Sequence, residues 1–261
     1  MLTAMHRVRL VTFNIAHGRG LHPIQGMASA RKIKANLRRI AALLAELAPD
    51  VVALQEIDER SRWAGNFDHL AYLREHVDFP HAVFGINNRR SGLFNLSYGN
   101  AFLSRHPLHV AETVVFGRRN FGEKGFLYVE ADVAGRCLPI VNVHLPFSSR
   151  AQRLKQLDRL VSWLREKHRL RAAEWTVPPI ICGDFNNPGT SNDATAALLS
   201  HLGDYCDYVL HPGIGRTFPS LLPRRTLDFI FLPAGCTDAK GEVVPSLLSD
   251  HCPVVAEFAL R

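Results

Sequence analysis

Long apolar runs are missing from this sequence. Nowhere in its 261 residues is there a stretch near the roughly 18 consecutive apolar residues that a membrane-crossing helix requires, which excludes a helical membrane protein. The first nine residues include Arg7 and Arg9 but no apolar core, so no secretory leader is expected. Cysteine is sparse and dispersed, at Cys137, Cys182, Cys206, Cys236 and Cys252, with no C-x-x-C pair. That odd, dispersed set fits free thiols in a reducing compartment better than a disulfide framework, so a cytoplasmic location is the expectation. Cys182 and Cys252 lie in apolar text and read as small buried hydrophobes. There is no P-loop, dinucleotide fingerprint, Gly-x-Ser-x-Gly elbow or Cys/His zinc spacing. Low-complexity tracts and linkers are absent too, so one domain over residues 1–261 is expected.

What is present is a recurring pattern. Short apolar runs end in a carboxylate, an amide or a histidine: Val11-Thr12-Phe13-Asn14, Ala53-Leu54-Gln55-Glu56, Val141-Asn142-Val143-His144, Ile181-Cys182-Gly183-Asp184-Phe185-Asn186 and Leu248-Ser249-Asp250-His251. Runs rich in Val and Ile read as buried strands. A charge just beyond a buried strand must find a partner, because desolvating it alone costs several kcal/mol. Five such ends carrying oxygen or imidazole donors point to one polar pocket, suited to a hard metal ion and a phosphate ester.

Two helices are written between these runs. Residues 30–48 place Ile33, Leu37, Ile40, Leu44 and Leu47 at helical spacing before Pro49, and residues 149–170 repeat the pattern with Leu154, Leu157, Leu160, Val161 and Leu164. Strand, Asn14, helix, strand, Glu56 is therefore echoed by strand, His144, helix, strand, Asp184. Each unit would bring both strand ends to one sheet edge. Further strands are predicted at 82–84, 99–104, 109–115, 126–133, 227–232 and 254–259, with little helix after about Leu202. Gly117-Arg118-Arg119 and Ala134-Gly135-Arg136 punctuate the middle of the chain.

Each polar strand end has an ordinary reading beside a chemical one. Glu56 alone would pass for a surface ion-pair partner, yet Mg²⁺ usually takes only one or two protein carboxylates, so one well-placed Glu suffices for a site. Asp184 and Asn186 share a side of the chain, with Phe185 turned to the core; an Asx turn before Pro188 is the plainer alternative. His251 suits acid–base work but needs an orienting carboxylate. Asp250 would point the other way on a strand, so Asp228, an acid embedded in Leu227-Asp228-Phe229-Ile230, is the better orienter. His144 is a second candidate acid. His17-Gly18-Arg19-Gly20, after Asn14, is a loop type that can approach phosphate, although many Gly-Arg-Gly loops do nothing of the kind.

Together these segments resemble the endonuclease/exonuclease/phosphatase superfamily of metal-dependent phosphoesterases. The resemblance rests on Thr12-Phe13-Asn14-Ile15, Leu54-Gln55-Glu56, Gly99-Asn100-Ala101, Asn142-Val143-His144-Leu145, Gly183-Asp184-Phe185-Asn186, Leu227-Asp228-Phe229-Ile230 and Ser249-Asp250-His251, in the family's order across nearly the whole chain. It implies an α+β fold, a four-layer α/β/β/α sandwich of two packed mixed sheets with the site at one end. It implies Glu56 as the main ligand of Mg²⁺ or Mn²⁺, helped by Asn14 and Asp250. Asp184 would position or activate the attacking water, and Asn186 would bind phosphate. His251, held by Asp228, would act as base or phosphate contact. His144 would stabilise or protonate the leaving side, with Asn100 nearby. Which of Asp184 and His251 takes the proton stays open. A histidine at 144 is similar to the deoxyribonuclease, sphingomyelinase and inositol phosphatase branches and unlike the apurinic endonucleases. Arg216-Thr217-Phe218-Pro219-Ser220 and the His17 loop look like a bacterial subgroup, some relatives of which are linked to lipid-anchor remodelling.

The expected reaction is hydrolysis of a phosphodiester, on nucleic acid or on a phospholipid headgroup. A net charge of +7 suits either anion. A nuclease would use cations such as Arg89, Arg90, Arg118, Arg119, Arg224 and Arg225 to follow a backbone. A lipid phosphodiesterase would need an exposed apolar loop, for which 91–96 and Leu221-Leu222-Pro223 are candidates. A non-catalytic phosphate-binding scaffold would have lost Glu56, Asp184 or His251, and all three are present. No protein partner can be inferred.

Overall fold

A computed structural model describes residues 6–117, 122–187 and 193–260. The first amphipathic segment forms α1 (Ala30–Leu47), which buries Ile33, Leu37, Ile40, Ala41 and Leu44 along one stripe. Ser29 caps it by accepting from the Lys32 amide, and Ala48 in the left-handed region ends it before Pro49. This helix joins β1 (His6–Asn14) to β2 (Val51–Asp58), which pair in parallel. In the second half α3 (Arg150–Arg171), capped by Ser149, joins β7 (Arg136–His144) to β8 (Ile180–Asp184), again in parallel. The two expected strand-helix-strand units are therefore both formed.

The remaining strands are β3 (His81–Arg90), β4 (Leu96–Ser104), β5 (Leu108–Val115), β6 (Gly125–Val133), β9 (Tyr208–His211), β10 (Asp228–Pro233), β11 (Cys236–Val243) and β12 (Val254–Leu260). They extend each parallel pair into a six-stranded mixed sheet, ordered β11-β12-β1-β2-β4-β3 and β5-β6-β7-β8-β10-β9. In both sheets an antiparallel hairpin flanks each side of the parallel pair, so the two have the same plan. Short helices α2 (His69–Arg74) and α4 (Ala194–Leu202) accompany α1 and α3. One core lies between the sheets, around Leu10, Phe102, Ile140 and Phe258. A second packs α1 and α2 on the first sheet, and a third packs α3 and α4 on the other. These are the four layers α/β/β/α.

Several elements differ from the sequence reading. Strand β3 runs ten residues where three are predicted, because its outer half is polar text that pairs along β4. Strand β11 is almost half exposed and polar, and β9 is four residues long, so neither shows an apolar run. Helices α2 and α4 are too short to reveal a stripe. The stretch after Leu202 is indeed without α-helix among the described residues. The five cysteines are free, with Cys182 and Cys252 buried. Arg118, Arg119 and Pro188 lie outside the described residues.

Candidate active site

Strand register builds the site. In the second sheet His144 lies beside Asp184, and Asp184 beside Asp228, forming one row across β7, β8 and β10. In the first sheet Asn14, Gln55 and Asn100 form the matching row across β1, β2 and β4. The rows meet through buried amides. Gln55 Nε2 donates to Asn142 Oδ1 at 2.7 Å, and Asn142 Nδ2 donates to the carbonyls of Leu54 and Ala101 at 2.9 and 3.1 Å. Asn100 belongs to this floor: fully buried, it donates to the carbonyls of Asn142 and Gly125 and does not line the cavity above.

Glu56 reaches the cavity through a break in strand geometry. Gln55 pairs with Asn100 and Ile57 with Gly99, so Glu56 is the extra residue of a bulge, with φ +52°. A bulge re-aims a side chain that alternation would direct elsewhere. Positive φ recurs around the cavity at Ala16, His17 and Asn186, conformations that non-glycine residues hold only where surrounding contacts enforce them.

The cavity holds about 400 Å³ and is lined by Asn14, Glu56, His144, Asp184, Asn186, Asp250 and His251, all expected from the sequence. Asp184 Oδ2 accepts from Asn14 Nδ2 at 2.9 Å and from Asn186 Nδ2 at 3.2 Å; its Oδ1 accepts from the Asn186 amide at 2.8 Å. His144 Nε2 lies 3.5 Å from Asp184 Oδ2 and 3.8 Å from Glu56 Oε1. His251 Nδ1 pairs with Asp228 Oδ2 at 2.8 Å, leaving Nε2 3.8 Å from Asp184. Asp228 thus stands behind His251, in the orienting position, and off the cavity wall. Phe185 is buried in the outer core beneath α3 and α4.

Lys124, Arg153 and Phe147 are not expected from the sequence, while Arg19 and Arg225 are expected only as loop cations and Phe218 only as part of a motif segment. Lys124 places Nζ 3.3 Å from Glu56 Oε1 and 3.4 Å from His144 Nδ1. It lies two residues before an apolar run, with no motif to mark it. Arg19, from the Gly-Arg-Gly loop, donates to Asp250 Oδ2 at 2.5 Å and lines the cavity, as do Arg225, Arg153, Phe147 and Phe218. Phe218 packs on the His251 ring at 4.9 Å. His17 turns away from the cavity wall to Asp58, with Nδ1 2.7 Å from Oδ2, and presents Nε2 3.6 Å from Glu56 Oε2.

Charge sorts these groups. Burial alone would raise the Glu56 carboxyl, but Lys124, His17 and His144 hold it well below the usual carboxylate range. Burial raises Asp184, and Asp228 adds to the rise against the pull of His251. Burial works against a charged His251, yet Asp228 and Asp184 raise it well above an ordinary histidine. Burial and Lys124 push His144 well below its usual value. The field thus favours the charged form of Glu56, raises both Asp184 and His251, and favours the neutral form of His144.

The donor set fits a divalent cation. Glu56, Asn14 and Asp250 offer hard oxygens to one cavity, and Glu56 is ionised among positive groups as a ligand must be. Ligand atoms of Asp184, Asp228 and His251 also lie within 4.8 Å of one another. There the Asp228–His251 contact is already closed, and at the Glu56 end Asp250 accepts from Arg19 and Glu56 faces Lys124.

Two mixed sheets with buried acids, amides and histidines at one end define the architecture of metal-dependent phosphoesterases. The sequence matches the model of the endonuclease/exonuclease/phosphatase family over residues 11–251, and the chain belongs to that family. Solved structures agree on the fold. An endonuclease/exonuclease/phosphatase from Beutenbergia cavernae superposes with a TM-score of 0.72 at 22% identity, covering 97% of this chain and 72% of that one. Sphingomyelinase C from Streptomyces griseocarneus gives 0.66 at 21%, covering 98% and 100%. Truncated TDP2 from Caenorhabditis elegans gives 0.65 at 16%, covering 97% of both chains. Comparison with curated proteins gives no significant match. No helix among the described residues is long and apolar enough to cross a membrane.

Proposed function

We propose that the protein hydrolyses phosphodiester bonds with the help of Mg²⁺ or Mn²⁺, by in-line attack of an activated water. The observation that carries this reading is the convergence of Glu56, Asn14, Asp250, Asp184, His144 and His251 on one cavity of about 400 Å³. Glu56, Asn14 and Asp250 would hold the cation, which when bound neutralises charge on the phosphoryl oxygens. Asp184, fixed by three amide donors, orients the water at its free lone pairs, and it or His251 takes the proton. Neutral His144 hydrogen-bonds the phosphoryl or leaving oxygen, while Arg225 and Lys124 supply donors to the same charge. Both side-chain amide hydrogens of Asn186 are given to the Leu145 carbonyl and to Asp184, so Asn186 holds Asp184 in place and has none left for phosphate. Phe218 and Asp228 hold the His251 ring in place.

A nucleic acid is the first substrate to test, because the chain has a net charge of +7 and three of its cations, Arg19, Arg225 and Lys124, line the cavity. Purified protein with Mg²⁺ is expected to nick supercoiled plasmid, and Asp184→Ala from the same preparation is not. Absence of nicking by the wild type at high enzyme would sink the DNA reading. A phospholipid headgroup is the second reading, favoured by exposure at the rim. Phe147 is 79% exposed while lining the cavity, and Leu221 and Leu222 are 67% and 62% exposed on the loop that carries Phe218 and Arg225. Leu93 and Phe94 of the 91–96 segment are exposed as well. For a lipid enzyme, Leu221→Ser with Leu222→Ser lowers turnover on phosphatidylcholine or sphingomyelin vesicles and spares a small soluble diester; equal losses on both would reject it.

A further inference from the structure

Behind Glu56 lies a polar cluster that the proposed chemistry does not use. His17 is buried on the turn after β1, in the left-handed region at φ +54°. Its Nδ1 pairs with Asp58 Oδ2 at 2.7 Å, and the other Asp58 oxygen accepts from Trp63 Nε1 at 3.0 Å. The imidazole packs against both Trp63 and Tyr98, with ring centroids 5.1 and 5.2 Å away, and those two rings also touch each other at 5.2 Å, so the ring is braced from one side by an aromatic pair. Its Nε2 lies 3.6 Å from Glu56 Oε2, while Lys124 Nζ lies 3.3 Å from Oε1. Asp58 is fully buried, two residues after Glu56 on the same strand.

We infer that His17 is a positioning residue: braced by Asp58, Trp63 and Tyr98, it fixes the rotation of the Glu56 carboxylate so that its oxygens face a divalent cation in the cavity. A Glu carboxylate turns freely about its last torsion, and freezing it before the cation arrives removes that cost from binding. Groups behind a ligand that orient it are commonly worth about 10- to 100-fold in metal affinity. A purely packing role would leave Nε2 facing apolar surface or a carbonyl; here it faces the one carboxylate on which the bulge of β2 converges. The inference rests on reading the Glu56 end as the cation site.

Calorimetric titration of Mn²⁺ into metal-free protein tests it, comparing wild type, His17→Ala, His17→Gln, Asp58→Asn and Glu56→Gln at one pH, with thermal unfolding of each metal-free protein alongside. His17→Ala is expected to raise the Mn²⁺ Kd about 10- to 100-fold. Asp58→Asn raises it less, and His17→Gln, which can again place a donor near Oε2, recovers part of the affinity. If His17→Ala does not fold, the two conservative variants carry the comparison. Unchanged Kd in the folded variants, with or without lost stability, overturns the positioning role. A wild type that binds no Mn²⁺, or Glu56→Gln that binds as well as wild type, overturns the cation site itself and this inference with it.

Discussion

Asp184 is buried and Glu56 half-buried in the wall of one cavity, yet their surroundings drive them in opposite directions. Burial raises each; Lys124, His17 and His144 reverse the effect at Glu56, whereas Asp228 reinforces it at Asp184. Two acids pushed apart in this way can take separate roles, one as permanent anion and one as proton carrier. His251 depends on the same field, since burial disfavours its charge and Asp228 and Asp184 restore it. Replacing Asp228 by Asn keeps the shape and removes the nearest negative charge. The His251 pKa in metal-free protein is then expected to fall by about 1–3 pH units, followed by imidazole NMR signals across a titration. The sign follows from the charge: without the carboxylate the imidazolium loses its partner and releases its proton at lower pH. With a small diester, kcat falls by about 10²-fold or more if His251 handles the proton. An unmoved His251 titration would mean that Asp228 does not govern it.

Elements place these residues through backbone features that side-chain patterns do not encode. Gly183, just before Asp184, has φ +135°, and a Cβ there would sit 1.9 Å from the Val143 carbonyl of the parallel neighbour β7. Gly183→Ala must therefore separate β7 from β8, and a loss of about 3 kcal/mol or more is expected in urea unfolding. Gly135→Ala is the control. It shares a positive φ but meets nothing within 4 Å, so only the left-handed penalty of about 1 kcal/mol applies. Equal losses at the two positions would refute the close-approach argument. This contrast also marks what could be read in advance. Helices α1 and α3 and the inner strands were legible because long buried stripes dominate their text. The Glu56 bulge was not, because it depends on the pairing of Gln55 and Ile57 with Asn100 and Gly99 across β4. Asn100 likewise reads as a site residue from its motif, and only the meeting of the sheets reveals that its amide is spent on two carbonyls.

At the scale of the molecule, two similar units face each other and deliver opposite chemistry to one end: Glu56 and Asn14 from the first sheet, His144 and Asp184 from the second. The polar strand ends announced that convergence, since each needed a partner and the units shared an edge. The cations around it were legible only in part: Arg19 and Arg225 stood out as loop cations with no signal that they meet at one cavity, and Lys124 had no signal at all, because such loop text resembles any solvated surface. A basic molecule that follows a polyanion releases counterions, so its apparent affinity falls with salt roughly as the power 0.9 per phosphate contacted. With about four phosphate contacts, kcat/KM on plasmid should fall about 10²-fold between 50 and 200 mM salt. A small diester carries one charge and no condensed counterions, so it should feel only ordinary screening and lose about twofold or less over that range. Measuring both at constant Mg²⁺ separates the cases. Parallel, shallow slopes would mean that the cavity cations act on one phosphate and that no backbone is tracked, leaving the exposed Phe147, Leu221 and Leu222 rim as the surface that selects the substrate.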